Sequence, residues 1–261
     1  MPAVLLAACG AGESAPTIVP LETLRFSVQG DTVTGPDSTQ AGWKRVEVDE
    51  DGRGHILVAF RFPPEATGED AAVFLAALDT AVATPSGVVA IGGPEVGDTG
   101  EVFLELTPGQ YVLGCLRRSP DGHRHASAGE SKILVVTPAS GAEAGNPPGA
   151  TQEVQMVDFA YLGPERWPAG THSIRVENDG KQDHQLQLAR LNPGKSMADW
   201  LASEGELADR VAGVARMGPG TVAYLPVDLP AGSYVVYCLI TDPASDREHL
   251  EMGMYRAIEI E

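Results

Sequence analysis

The chain has 261 residues, 43% of them hydrophobic, which is enough for one large or two ordinary domains with packed cores. Its formal net charge of −18 repels phosphate backbones and anionic lipid headgroups, which argues against nucleic acid as a partner. The 30 glycines and 20 prolines favour many short strands joined by turns over long helices.

The N-terminal segment carries the first of three cysteines. Leu6-Ala7-Ala8-Cys9 resembles a bacterial lipobox, whose cysteine becomes the lipidated N-terminus after signal cleavage. The resemblance implies an extracytoplasmic protein, in the periplasm or at the cell surface, that touches the membrane only through lipid on Cys9. The apolar run before Cys9 is short and no basic residue precedes it, so an apolar N-terminus without this role is the alternative.

Strand-like alternation of apolar and polar residues begins at Leu24 and recurs through the first half of the chain. Thr67 and Asp70 form a capping box ahead of apolar residues, which predicts a short helix between the strands. The predicted strands of this half cover residues 24–28, 43–48, 55–62, 88–91, 102–106, 110–116 and 132–136.

Residues 138–150 have no apolar period and are rich in proline, glycine and alanine, which is typical of an interdomain linker. After it the same order of elements returns. Ser196 and Asp199 form a second capping box, and apolar residues from Met197 to Val214 fall at helical spacing, with a break near Gly205. The predicted strands cover residues 154–159, 172–176, 184–191, 221–227, 233–239 and 255–260.

This repeat of about 125 residues is too long for a solenoid unit. We therefore predict an all-β protein of two tandem Greek-key β-sandwich domains, each with a short helical insert. Residues 1–21 form the signal remnant and tether, residues 22–137 the first domain, and residues 151–261 the second.

The second half contains a set of soft metal donors. His184 opens one predicted strand, Cys238 ends another, and His249 and Met254 follow in the next loop. Two imidazoles and a thiolate with a weak thioether suit copper in an electron-transfer role.

These motifs resemble the cupredoxin family of blue copper proteins. The matching features are a strand that ends in Asn178 before the first histidine, and Gly232-x-Tyr234-x-x-x-Cys238 followed by histidine and methionine. The resemblance implies one copper ion, electron transfer or copper storage, a redox protein partner, and a ligand set of His184, Cys238, His249 and Met254.

Two features depart from the family pattern. About ten residues separate Cys238 from His249, more than is usual, and closing the longer loop costs additional entropy. Met252 competes with Met254 as the axial ligand, and we favour Met254 because Gly253-Met254 matches Gly129-Glu130 in the first half.

The first half keeps the same order of residues but replaces the methionine with a carboxylate, a hard ligand. We therefore expect a degenerate equivalent site, structural or metal-free, formed by His55, Cys115, His125 and Glu130. His172, on a predicted strand, is expected to be exposed.

Other interpretations stay open. Cys115 and Cys238 are also compatible with small buried hydrophobes, or with one disulfide. No catalytic motif occurs, and six histidines are too few for a blue site plus a trinuclear cluster, so we predict that the chain is not an enzyme. The alternative function is a metal-free, cupredoxin-like binding or scaffold module at the cell surface.

Overall fold

A computed structural model describes residues 21–78, 84–95, 99–140, 145–203 and 205–261. The predicted lipidation site, Cys9, lies outside these residues. Among the described residues, no helix has the length and apolar character that a membrane span requires.

In the first half, the described residues form nine strands, one α-helix and a 3₁₀ turn at His125–Ala128. The elements are β1 (Glu22–Gln29), β2 (Thr32–Thr34), β3 (Ser38–Gln40), β4 (Gly42–Glu50), β5 (Leu57–Arg61), α1 (Gly68–Ala77), β6 (Val89–Gly92), β7 (Thr99–Leu106), β8 (Gly109–Cys115) and β9 (Ser131–Thr137).

The second half repeats this order and adds a short hairpin before its last strand. The elements are β10 (Gln152–Val157), β11 (Ala160–Leu162), β12 (Arg166–Trp167), β13 (Gly170–Asn178), β14 (His184–Leu191), α2 (Met197–Ala202), β15 (Ala208–Met217), β16 (Val222–Leu229), β17 (Gly232–Tyr237), β18 (Thr241–Asp242), β19 (Arg247–Glu248) and β20 (Tyr255–Ile260).

Two large sheets run through both halves. One has the order β11-β10-β13-β16-β7-β4-β1-β2, and the other β12-β20-β17-β14-β15-β6-β5-β8-β9-β3. Each half contributes its strands in the same order outward from a seam. At the seam β16 pairs with β7 and β15 pairs with β6, both antiparallel. The halves are thus hydrogen-bonded into continuous sheets, and one apolar core cluster includes side chains from both.

The strands carry the alternation that the sequence predicted. Leu24, Phe26 and Val28 of β1 are buried, while the residues between them are exposed or half-buried. One face of each sheet therefore packs into the shared core. The predicted all-β class with a short helical insert in each half is confirmed.

Both helical inserts cover a sheet. Each begins at its predicted capping box, Thr67 with Asp70 and Ser196 with Asp199. In α1, Phe74 lies against Phe60 with ring centroids 4.9 Å apart. The contacts of α1 bury the outer apolar face of the first half's sheet, on which Phe60 and Val112 lie.

Two predictions for the second half were wrong. The helical spacing beyond Gly205 does not form a helix, because β15 pairs there with β14 as a strand. His172 is buried rather than exposed, since it shares the inward face of β13 with Ile174. Its Nδ1 lies 3.2 Å from Thr151 Oγ1, and its Nε2 lies 2.7 Å from the carbonyl oxygen of Pro168.

Candidate metal centre

Three predicted donors of the second half meet in the core. His184 is the first residue of β14, Cys238 follows β17, and His249 follows β19. The Nδ1 atoms of the two histidines are 3.1 Å apart, and Cys238 Sγ lies 3.4 Å from His249 Nδ1. All three residues have no exposed surface.

The long interval between Cys238 and His249 is closed by the hairpin of β18 and β19, in which Thr241 pairs with Glu248. The His249 amide donates to the carbonyl of Ile240 at 2.8 Å, and the Leu250 amide donates to the carbonyl of Cys238 at 2.8 Å. These backbone bonds bring the imidazole back beside the thiol, which offsets the entropic cost of the longer loop.

The two methionines of this loop, Met252 and Met254, differ in burial and in hydrogen bonding. Met254 is fully buried, its amide donates to the His249 carbonyl at 2.8 Å, and its carbonyl accepts from the Cys238 amide at 3.2 Å. Met252 is half-buried, and its sulfur lies 3.8 Å from Ser245 Oγ. The backbone of Met254 is therefore hydrogen-bonded to His249 and to Cys238, and its role as the axial ligand stays a prediction.

Asp158 holds His184 in place, although the sequence did not single it out. Its Oδ1 lies 2.9 Å from His184 Nε2, and it accepts hydrogen bonds from the amides of Lys181 and Gln182. A Cβ at Gly180 would lie 2.6 Å from both Asp158 Oδ1 and His184 Nε2. The Asn178-Asp179-Gly180 turn was the available signal, because only glycine leaves room for this contact.

Burial sets the protonation of the cluster. It lowers the pKa of His184, against the opposing effect of Asp158, and together with His184 it lowers the pKa of His249 to about 4. Burial also raises the pKa of the Cys238 thiol to about 12. Both imidazoles are therefore neutral near pH 7, and a metal that binds there must displace the thiol proton.

The donor set fits a transition metal. Protein nitrogen and sulfur ligands lie roughly 2.0 to 2.3 Å from such an ion, so ligands that share it lie within about 4 Å of one another. The observed separations of 3.1 and 3.4 Å satisfy this condition. When His184 Nε2 donates to Asp158, the lone pair of His184 Nδ1 faces the His249 ring. In metal sites an outer carboxylate fixes the tautomer and the orientation of a histidine ligand in the same way.

The first half assembles the equivalent residues in the same way. The Cys115 amide donates to the Glu130 carbonyl at 3.1 Å, and the Glu130 amide donates to the His125 carbonyl at 3.0 Å. Glu130 thus takes the backbone position of Met254. His55, Cys115, His125 and Glu130 each offer a ligand atom, and these atoms lie within 4.8 Å of one another. The two cysteines are free, so the disulfide alternative was wrong.

A buried carboxyl lies at the seam between the two clusters. Glu95 is 2% exposed, its Oε1 accepts a hydrogen bond from Gln187 Nε2 at 2.7 Å, and its Oε2 has no hydrogen-bond partner within the described part of the chain. Burial raises the pKa of Glu95 from 4.5 to about 8, although Arg210 opposes the shift. Glu95 lines a cavity of about 380 Å³ with residues of both halves, including Ile56 and Ile240. No sequence pattern distinguished it from the many surface carboxylates.

Comparison with known proteins gives neighbours by structure alone, because no family model and no curated protein match the chain. Reduced auracyanin from Roseiflexus castenholzii is 21% identical with a TM-score of 0.31, over 43% of this chain and 99% of its own. Auracyanin A, a blue copper protein from Chloroflexus aurantiacus, is 17% identical with a TM-score of 0.29, over 42% and 98%.

Longer copper proteins align with both halves. A multicopper oxidase from Campylobacter jejuni is 12% identical with a TM-score of 0.30, over 92% of this chain and 64% of its own. All of these likenesses are weak. At TM-scores near 0.3 they carry no conclusion about what this chain binds.

Proposed function

We propose that the second half of this cupredoxin-like chain binds one copper ion and exchanges electrons with a redox protein partner. The observation that carries the proposal is the convergence of His184 Nδ1, His249 Nδ1 and Cys238 Sγ in the core. Bound copper supplies reversible one-electron exchange, and a His₂Cys set with a weak axial thioether is the donor set suited to it.

The chain's own residues hold the donors in place. Asp158 keeps the proton of His184 on Nε2, which leaves Nδ1 available as a ligand. The β18–β19 hairpin fixes His249 and Met254 beside Cys238 through backbone hydrogen bonds. A cage held from two sides limits movement of the donors when an ion changes oxidation state.

Burial favours a carrier over an enzyme. His184, Cys238, His249 and Met254 are all fully buried, so a substrate has no direct access to an ion held between them. Copper enzymes that act on small molecules need an open coordination position. Electron transfer does not require the partner protein to touch the metal ion, so a buried site is compatible with electron exchange.

Attachment to a membrane through lipidated Cys9 belongs to the same proposal and is supported by the lipobox-like run Leu6-Ala7-Ala8-Cys9. The measurement is fractionation of bacteria that express the full chain. Membrane association lost in Cys9→Ala supports the anchor, and equal distribution of both proteins contradicts it.

The copper proposal is tested in full-length Cys115→Ala protein, in which Cys238 is the one remaining cysteine of the two candidate metal sites. We expect one retained copper ion per chain, with an intense sulfur-to-copper absorbance that dithionite bleaches and reoxidation restores. Cys115→Ala/Cys238→Ala is the matched control and should lose the band. A Cys115→Ala protein that folds but retains no copper would refute the function, and one that binds copper without reversible bleaching would indicate storage.

A further inference from the structure

The first half contains a four-donor cluster that the proposed function does not use. Glu130 Oε1 lies 2.5 Å from His55 Nδ1, and Glu130 Oε2 lies 2.9 Å from His125 Nδ1. Cys115 Sγ lies 3.7 Å from His55 Nδ1 and 3.9 Å from His125 Nδ1. The side chains of His55 and Glu130 are 0% and 1% exposed, and that of His125 is 13% exposed.

A carboxylate contacts Nε2 of His55, as Asp158 contacts Nε2 of His184 in the other half. Asp51 Oδ1 lies 3.1 Å from His55 Nε2. When Nε2 donates its proton to Asp51, the lone pair of Nδ1 points at Glu130 Oε1. Two acceptors at 2.5 Å repel each other unless a proton or a cation is shared between them.

The second oxygen of Glu130 strengthens the case for a cation. Glu130 Oε2 is buried, and its contact with His125 Nδ1 at 2.9 Å does not have hydrogen-bond geometry, while the Cys115 thiol donates to the Glu130 carboxylate. A buried carboxylate oxygen whose nearest donor is poorly aligned loses its hydration without full replacement, which is costly in a folded protein. One cation at the centre of the four donors would satisfy both oxygens of the carboxylate and the two imidazoles.

The charges of the donors select the kind of cation. A thiolate from Cys115 and a carboxylate from Glu130 together carry two negative charges, so a divalent ion leaves the buried site neutral. In the second half Met254 replaces the carboxylate, and a single thiolate balances a monovalent ion instead. Zn²⁺ takes cysteine, histidine and carboxylate ligands in four-coordinate sites. The Glu130 carboxylate is a poor ligand for a soft ion such as Cu⁺, but it suits a harder divalent ion.

We propose that His55, Cys115, His125 and Glu130 bind one divalent transition-metal ion of the zinc class as a second, structural metal site. On binding, the Cys115 thiol releases its proton to solvent and the ion bonds to the resulting thiolate. All four donors belong to the protein, so the site is closed, as in structural zinc sites. The proposal does not depend on copper in the second half.

The test uses the full chain with Cys238→Ser, which removes the thiol of the other site. Metal-free protein is dialysed against excess Zn²⁺, desalted and analysed for bound metal, and the same protein is titrated with Co²⁺. We expect one zinc ion per chain and a thiolate-to-cobalt absorbance that disappears in Cys115→Ser/Cys238→Ser. A folded Cys238→Ser protein that retains no zinc would overturn the proposal.

Two further variants in the Cys238→Ser background separate a metal site from a hydrogen-bonded network. Glu130→Gln should weaken zinc binding at least tenfold. Asp51→Asn, at a partly exposed position, should weaken it about 10- to 100-fold, the usual effect of losing an outer-shell carboxylate. Glu105→Gln, an exposed carboxylate on β7, is the matched control and should bind like the parent. Unchanged zinc affinity in folded Glu130→Gln or Asp51→Asn would contradict the ligand arrangement.

Discussion

We expect Glu95 to make the protein less stable as the pH rises, with an effect whose size follows from its burial. Its folded pKa is raised from 4.5 to about 8, so the folded state binds the proton more tightly than the unfolded chain does. The stabilisation is fully present below pH 4.5 and is lost as the pH rises through about 8. The whole effect corresponds to about 5 kcal/mol at 1.36 kcal/mol per pH unit.

The substitution Glu95→Gln removes this titration and keeps the shape of the side chain. Between pH 5 and 7 the wild-type protein should lose about 2 to 3 kcal/mol of unfolding free energy relative to Glu95→Gln. The amide can still bond Gln187, so packing beside the seam is preserved. The measurement is denaturant unfolding of metal-free protein at several pH values across this range.

The control is Glu105→Gln, the same substitution at an exposed position of β7. Its unfolding free energy should follow that of the wild type at every pH. If the difference between wild type and Glu95→Gln is as flat with pH as the difference for Glu105→Gln, then Glu95 is not protonated in the fold and the reasoning is refuted.

Two more variants test the proposed metal centre and the seam. Asp158→Asn leaves the ligands in place but removes the carboxylate beside His184, so copper affinity should fall about 10- to 100-fold in a competition titration with a chelator. Unaltered affinity would mean that Asp158 does not orient the ring. At Gly93 a Cβ would lie 1.9 Å from the carbonyl oxygen of Leu57, so Gly93→Ala should lower the unfolding free energy by about 1 to 3 kcal/mol in denaturant melts. At Gly149 no atom of the described residues lies within 4 Å of an added Cβ, so Gly149→Ala should change the unfolding free energy little. Equal effects of the two substitutions would contradict the steric argument.

Local patterns in the sequence determined the elements of this protein. The alternation in β1 predicted a strand with one buried face, and the spacing of Thr67 and Asp70 predicted the start of α1. The order of donor residues in the two halves was also predictable, because the same residue types recur at matching places in the repeat. These features depend on interactions between residues close together in the chain, so the local sequence pattern predicts them.

Tertiary pairing decided what local patterns left open. Apolar residues at helical spacing became β15, because a strand between β14 and β6 completes the sheet across the seam. His172 was buried by contacts with Thr151 and Pro168 that depend on how neighbouring segments pack.

The outer carboxylates show the same limit. Asp158 is 26 residues from the histidine it orients, and no local period marks such a pair. The sequence by itself thus determined the donor residues and the repeat. The packing of the sheets decided which carboxylates contact the donor histidines and which side chains are buried. The physical reason is that hydrogen bonding and burial between distant segments depend on three-dimensional proximity, which only the assembled core provides.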